Sequence, residues 1–179
     1  MRKQYGGPLI AVHWLTVLLI IATFVLAQML QDMTLSPLKL KLYSWHKWLG
    51  MTVLFLVPLR LLLRFIDRFD HRSGLSLLEI RASATVHGLI YLLLICVPLL
   101  GWLHSSAAGF PVVWFGVLPL PDLVGKEKAL AETFKALHSG AVNALVVLVA
   151  LHASAALYHH YIKRDGVLAR MLPWLSVKT

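Results

Sequence analysis

Four histidines interrupt otherwise apolar stretches of this 179-residue sequence: His13, His46, His138 and His152. Neutral imidazole is a ligand for iron, zinc and copper, and a polar side chain at membrane depth is costly enough to read as functional. His138 and His152 stand 14 residues apart on one apolar segment. On a helix that interval rises about 21 Å and returns to nearly the same face. One helix is thereby spaced to hold two iron centres, one near each membrane surface. The chemistry this layout suits is the passage of electrons along the membrane normal.

Such centres need spanning helices to position them, and the composition supplies these. The sequence is 59% hydrophobic and 14% charged, with a mean hydropathy of +0.75. A water-soluble domain of this length cannot cover so much apolar surface, so the chain reads as a membrane protein. Four stretches reach the roughly 20 residues that a spanning helix needs: Leu9–Leu30, Leu42–Leu63, Ala82–Leu103 and Leu137–Ile162. The expected fold class is an all-α membrane protein, a four-helix transmembrane bundle with residues 1–179 as a single domain. The first stretch follows Met1-Arg2-Lys3, as a signal peptide would. It is too long for an ordinary signal core and no clear A-x-A cleavage site follows, so we keep it as a spanning helix. Arg60 and Lys47 fall near segment ends, where long basic side chains can snorkel to the interface.

Charge sets the expected orientation. All eight arginines fall at the N-terminus, in the 60–81 connection or in the tail: Arg2, Arg60, Arg64, Arg68, Arg72, Arg81, Arg164 and Arg170. Lys3, Lys163 and Lys178 share that side. By the positive-inside rule both termini are then cytoplasmic, and the connections 31–41 and 104–136 are external. The net charge of +9 raises nucleic acid as a partner, but no basic, aromatic-interleaved soluble module carries that reading. Topology and attraction to anionic lipid account for the charge. Cys96 is the sole cysteine, which leaves no disulfide within the chain and the role of a small hydrophobe. The absence of C-x-x-C-H makes any haem b-type, held without thioether bonds.

No internal repeat, low-complexity tract or Gly/Ser-rich linker divides the chain. The short first connection makes helices one and two antiparallel neighbours. Pro111, Pro119 and Pro121 exclude a continuous helix in the longest connection, and Trp114 and Phe115 beside them suit the headgroup layer. Gly125–Leu137 is expected to extend helix four outward, and Pro58 and Pro98 can kink helices two and three.

Depth then pairs the histidines. Helix one enters from the side of the N-terminus, which makes His13 shallow on the inner side; helix two enters from the other side, which makes His46 shallow on the outer side. Helix four begins outside, with His138 near its start and His152 about 21 Å deeper. His46 therefore matches His138, and His13 matches His152. Each pair can close both axial positions of one iron, which leaves a centre that passes electrons and does not bind oxygen. Gly50, Gly140, Ala141 and the run Ala153-Ser154-Ala155-Ala156 place small residues beside these histidines, where a porphyrin needs close backbone approach. His87 lies at a depth similar to that of His13, and three roles stand open for it: axial ligand, neighbour of a haem or quinone, or packed histidine. His71 and His104 read as interfacial and solvated. His159 follows His152 by seven residues on nearly the same face; it is a quinone or proton contact, or a solvated helix-end group beside His160.

At these residues the sequence resembles the bacterial cytochrome b561 family, within a broader group that includes the cytochrome b subunits of hydrogenases and formate dehydrogenases. The matching features are Ala11-Val12-His13-Trp14, Trp45-His46-Lys47 with Gly50, Arg60-Leu61-Leu62-Leu63-Arg64, Leu137-His138, and Leu151-His152-Ala153 running into Tyr158-His159-His160-Tyr161. The resemblance covers nearly the whole chain. It implies two haem b groups, the inner bound by His13 and His152 and the outer by His46 and His138, in a bacterial inner membrane. It further implies ubiquinone as electron acceptor and, in some stand-alone members, superoxide as external donor. Lys39, Lys41, Lys47, Lys126, Lys128 and Lys135 ring the expected external face, where positive charge could steer a small anion; pairing of several with Glu127 and Glu132 is the plainer reading.

The resulting expectation is electron transfer through two b haems, from superoxide or another external donor to a membrane quinone. The rival is a membrane-anchoring haem subunit fed by a larger dehydrogenase or hydrogenase. A metal-ion transporter is weaker, because no carboxylate lies inside the four stretches. No residue is singled out for bond-breaking catalysis. The arginine distribution also yields a test of orientation. A reporter active only in the cytoplasm should work when fused after Thr179, whereas activity restricted to a periplasm-dependent reporter would reverse the sides of both centres.

Overall fold

The computed structural model of the chain describes residues 4–67 and 74–175. Arg2, Lys3, Arg68, His71, Arg72 and Lys178, used above, lie outside the described residues. Four long helices make the fold: α1 (Gly7–Asp32), α2 (Pro37–Ile66), α3 (Leu77–Ala107) and α4 (Lys128–Tyr158). Each is long and apolar enough to cross a membrane; α1 to α3 run beyond both ends of the expected stretches, and α4 starts earlier and passes at Tyr158 into a π-helical turn. Large apolar side chains such as Leu18, Phe65, Leu92 and Val147 face outward, as they must where lipid tails are the solvent.

The helix starts follow local chemistry. Prolines in the first turns of α1 and α2 fill positions whose N–H has no helical partner. The Ser36 side chain caps α2, and Ser76 with Glu79 forms a capping box at the start of α3. Pro58 and Pro98 sit inside α2 and α3, which continue through them, a tolerance common in membrane helices. Helix α4 begins at Lys128, close to the expected extension.

The proline-bearing connection between α3 and α4 is not helical, as expected, but it is more ordered than the sequence implies. It forms an antiparallel ribbon of β1 (Val113–Trp114) and β2 (Leu118–Pro119), with Val113 opposite Pro119 and Trp114 opposite Leu118. The backbone reverses through Phe115 and Gly116 at φ 50° and 73°. An aromatic cluster pins this ribbon to α2: Trp48 Nε1 donates to the Val113 carbonyl (2.6 Å), Trp114 Nε1 donates to Thr52 Oγ1 (3.2 Å), and Phe55 meets the Trp114 ring edge-on at 5.0 Å. Each indole thus buries its body and satisfies its N–H.

Helix α3 packs along α4 and α1 along α2, and the two hairpins join through α2 and α3. Neither α1 nor α2 approaches the backbone of α4 to a similar extent, although α1 and α2 carry histidines matched in depth to those of α4. The core consists of Val53, Val57, Ile90, Leu94 and Leu145. Leu145 is seven residues from both His138 and His152, so this apolar layer lies about 10 Å from either histidine level. At the end that holds the N-terminus, Gly6 N–H donates to Asp67 Oδ2 (2.6 Å) and Trp14 Nε1 donates to the Met171 carbonyl (2.9 Å). These bonds tie α1 to the end of α2 and to the C-terminal segment.

The end of α3 offers a test of this architecture. Gly109 has φ +75°, and a Cβ there would stand 2.9 Å from Lys126 Cδ. Gly109→Ala forces a left-handed conformation that costs about 1–2 kcal/mol in other residues. It should lower the Tm of the detergent-solubilised protein; an unchanged Tm would show that this turn relaxes freely.

Candidate functional site

The bundle brings the four histidines together as two pairs. His46 of α2 and His138 of α4 have ring centroids 6.3 Å apart, and His13 of α1 and His152 of α4 have centroids 6.4 Å apart. Two imidazoles that flank one metal ion, with bonds of about 2 Å each, hold their centroids roughly 6 Å apart. The two separations, near-equal and 14 residues apart along α4, therefore leave room for one ion between each pair of rings.

Proton positions support the same use at the His46 level. His46 Nδ1 lies 3.0 Å from the Thr23 carbonyl of α1, and His138 Nδ1 lies 2.9 Å from the Val97 carbonyl of α3. A carbonyl can only accept, so each ring donates through Nδ1 and keeps the Nε2 lone pair free, the arrangement that orients metal-bound histidines. Gly101 makes the second of these bonds accessible. A Cβ at Gly101 would stand 3.1 Å from His138 Cε1 and 3.2 Å from its Nδ1. By contrast, Cβ atoms at Gly50 and Gly140, the small residues singled out beside this pair, would meet nothing within 4 Å. The donor set and the open space beside it fit a flat, iron-bearing group.

The other level is more crowded. A cavity there is lined by His13, Arg60, His87, Tyr91 and His152, and otherwise by aliphatic side chains. His87 donates through Nδ1 to the Ser83 carbonyl (2.7 Å), so its Nε2 is free as well. Its ring centroid lies 4.9 Å from that of His152, nearer than that of His13 at 6.4 Å. Arg60 departs from expectation. Instead of snorkelling outward, its Nη2 reaches His13 Nδ1 at 2.6 Å, and its guanidinium lies 5.2 Å from the Tyr91 ring centroid. Sequence reasoning missed this residue, yet a signal was there: Arg60 follows His46 by 14 residues, the interval that separates His138 from His152.

At the same end, α4 passes into a π-helical turn, His159–Lys163, and Arg164 takes φ 53°. His159 Nδ1 lies 2.5 Å from Asp165 Oδ2, and its Nε2 is 3.9 Å from Glu79 Oε1, which also pairs with Lys163. His159 is thus a half-buried imidazole between two carboxylates, not a freely solvated helix end. His104 is likewise half-buried, 2.9 Å from the Ala131 carbonyl, where the sequence reading expects solvation. Lys47 turns inward to Ser105 Oγ (3.2 Å) and the Pro111 carbonyl (3.1 Å), which removes it from the expected rim. Lys39, Lys41, Lys126 and Lys128 remain at that end, near the starts of α2 and α4.

Four spanning helices with paired imidazoles in their interior define a membrane cytochrome b. The sequence profile of the prokaryotic cytochrome b561 family matches residues 4–174, and the chain belongs to this family. It is 32% identical over 177 residues to "Cytochrome b561 homolog 2" of Escherichia coli K12, a match covering 95% of this chain and 92% of that protein. It is 30% identical over 186 residues to "Probable superoxide oxidase CybB" of Yersinia pestis, covering 97% and 98%. "Cytochrome b561 homolog 1" of E. coli K12 is 29% identical over 177 residues, covering 96% and 98%. Membership makes this a bacterial membrane protein of electron transport and implies b-type haem as its cofactor.

The contact between Gly101 and His138 yields a prediction. Gly101→Ala should push the His138 ring from the Val97 carbonyl, lowering haem content and altering the reduced-minus-oxidised spectrum. Gly125→Ala, where a Cβ meets nothing within 4 Å, should change neither. Identical spectra for both variants would remove Gly101 from the site.

Proposed function

We propose that this chain carries single electrons across the membrane through two b haems, from superoxide on one side to ubiquinone within the bilayer. The observation that carries the reading is the pair of near-equal imidazole separations, stacked on α4 at a 14-residue interval. His46 and His138 would hold one haem, and His13 and His152 the other. Bound there, each haem would supply a reversible one-electron iron couple.

The protein's own groups do the rest. Lys39, Lys41, Lys126 and Lys128 raise the local concentration of a small anion at the His46 end. Two superoxide ions give up one electron each and leave as oxygen. Ubiquinone takes those two electrons and two protons near the His13 end. There His159, held between Asp165 and Glu79, is placed to pass a proton to a quinone oxygen, and His87 is the nearer imidazole to the inner pair. The similarity to a probable superoxide oxidase supports the choice of donor, and the charge distribution supports an external His46 end.

Purified protein should contain two b haems per chain. His46→Ala and His138→Ala should remove mainly one of them, and His13→Ala and His152→Ala mainly the other. Loss of a haem in His87→Ala, with both retained in His13→Ala, would refute the pairing. Superoxide should reduce both haems, and ubiquinone should reoxidise them. Neutralising Lys39, Lys41, Lys126 and Lys128 together should slow reduction and flatten its salt dependence without altering the spectrum. If superoxide leaves intact di-haem protein oxidised while a co-purifying redox subunit reduces it, the anchoring-subunit reading replaces this one.

A further inference from the structure

We propose that Arg60 is the counter-ion of a haem propionate at the His13/His152 level. The inference rests on the ligand pairing just proposed and extends it to the carboxylate side of the cofactor.

Arg60 is placed where a permanent positive charge is hard to keep. It lines the cavity with His13, His87, Tyr91 and His152, and the remaining lining is aliphatic, with no carboxylate. A guanidinium stays charged in proteins, and burying an unpaired charge is costly. Its Nε is buried and has no hydrogen-bond partner. Tyr91 offers its ring face and a side-chain hydrogen bond, a partial compensation with no opposite charge. Arg64, one turn further along α2, adds positive charge rather than relieving it.

Besides its side-chain hydrogen bond to Tyr91, Arg60 contacts His13 Nδ1, and that contact cannot coexist with ligation through His13 Nε2. A neutral imidazole that gives its Nε2 lone pair to iron keeps its proton on Nδ1, and a guanidinium has only donors to offer that proton. Once His13 is a ligand, Arg60 must turn to another acceptor within reach of the cavity. A b haem brings two carboxylates on flexible side chains. A guanidinium pairs with a carboxylate through two parallel hydrogen bonds, and the orphaned Nε can supply one of the two. The same charge could also attract a lipid phosphate, so the test separates these two anions.

The test uses the di-haem holoprotein, with Arg60→Gln and Arg60→Lys beside it. The readouts are haem per chain, the propionate-bending band in resonance Raman spectra, and the two midpoint potentials. In Arg60→Gln the propionate band of one haem should shift and that haem's potential should fall, while the other haem stays unchanged. Arg60→Lys should restore most of the potential but not the band, because an ammonium lacks the planar fork. The same shifts should appear in phospholipid nanodiscs and in phospholipid-free detergent. An unchanged propionate band in Arg60→Gln overturns the proposal, and so do shifts that occur only with phospholipid present. Should Arg60→Gln lose the haem outright, Arg60→Lys decides: a retained haem with a shifted band supports the contact, and loss in both variants overturns it. Wild-type protein with fewer than two haems per chain would instead sink the ligand pairing, and this inference with it.

Discussion

An imidazole binds a metal through Nε2 only when the proton on Nδ1 has somewhere to go. Inside four apolar helices the acceptors at hand are backbone carbonyls that already serve their own helix. The protein meets this constraint by bringing a neighbouring helix within reach of each ring at the His46 level. Thr23 of α1 accepts from His46, and Val97 of α3 accepts from His138. Each histidine on one helix is thus oriented by the backbone of another, and the spacing of the bundle depends on those bonds. Gly101 shows how narrow the tolerance is, since a single Cβ would contact the His138 ring.

A seven-residue step organises the layers. On α4 the sequence runs His138, Leu145, His152; on α2 it runs His46, Val53, Arg60; on α3 it runs His87, Leu94, Gly101. Seven residues return a helix to nearly the same face, so three helices present the same order of layers. On α2 and α4 a polar residue lies toward each end, on α3 Gly101 takes one of these places, and an aliphatic layer lies in the middle, where Val53, Leu94 and Leu145 are all buried. The mismatch between levels is chemical. Where the ribbon end has two carbonyl-held imidazoles, the other end has His13 in contact with a guanidinium and a third imidazole nearby. That asymmetry suits two centres with different surroundings, and surroundings are what set the potential of a haem.

Much of this was legible before any coordinates. Length and hydropathy are enough to mark spanning helices, because lipid demands about 20 apolar residues whatever the fold. Helical rise alone matched the histidines by depth, and the bundle brings His46 beside His138 and His13 beside His152, with His87 nearer still to His152. What escaped depended on direction rather than depth. Arg60 and Lys47 are long, flexible side chains near segment ends, and nothing local tells whether they extend to the interface or fold inward; both fold inward. The ribbon at 113–119 escaped because its order comes from indoles on α2 and not from strand propensity. His104 and His159 read as solvated or ambiguous because their partners, the Ala131 carbonyl and Asp165, lie on other turns of backbone.

The aliphatic middle layer also bears on what can cross this protein. An electron can pass between centres through saturated side chains, but a proton needs a chain of groups able to exchange it. The core residues between the two levels, Val53, Val57, Ile90, Leu94 and Leu145, offer none. Beyond the His13 level, His159, Asp165, Glu79 and Lys163 meet across α3 and the end of α4. The ribbon end has exchangeable groups of its own, His104 and the carboxylates of Glu127 and Glu132, so the aliphatic layer stands between two such sets. The middle layer thus suits electrons better than protons as what passes between the two levels.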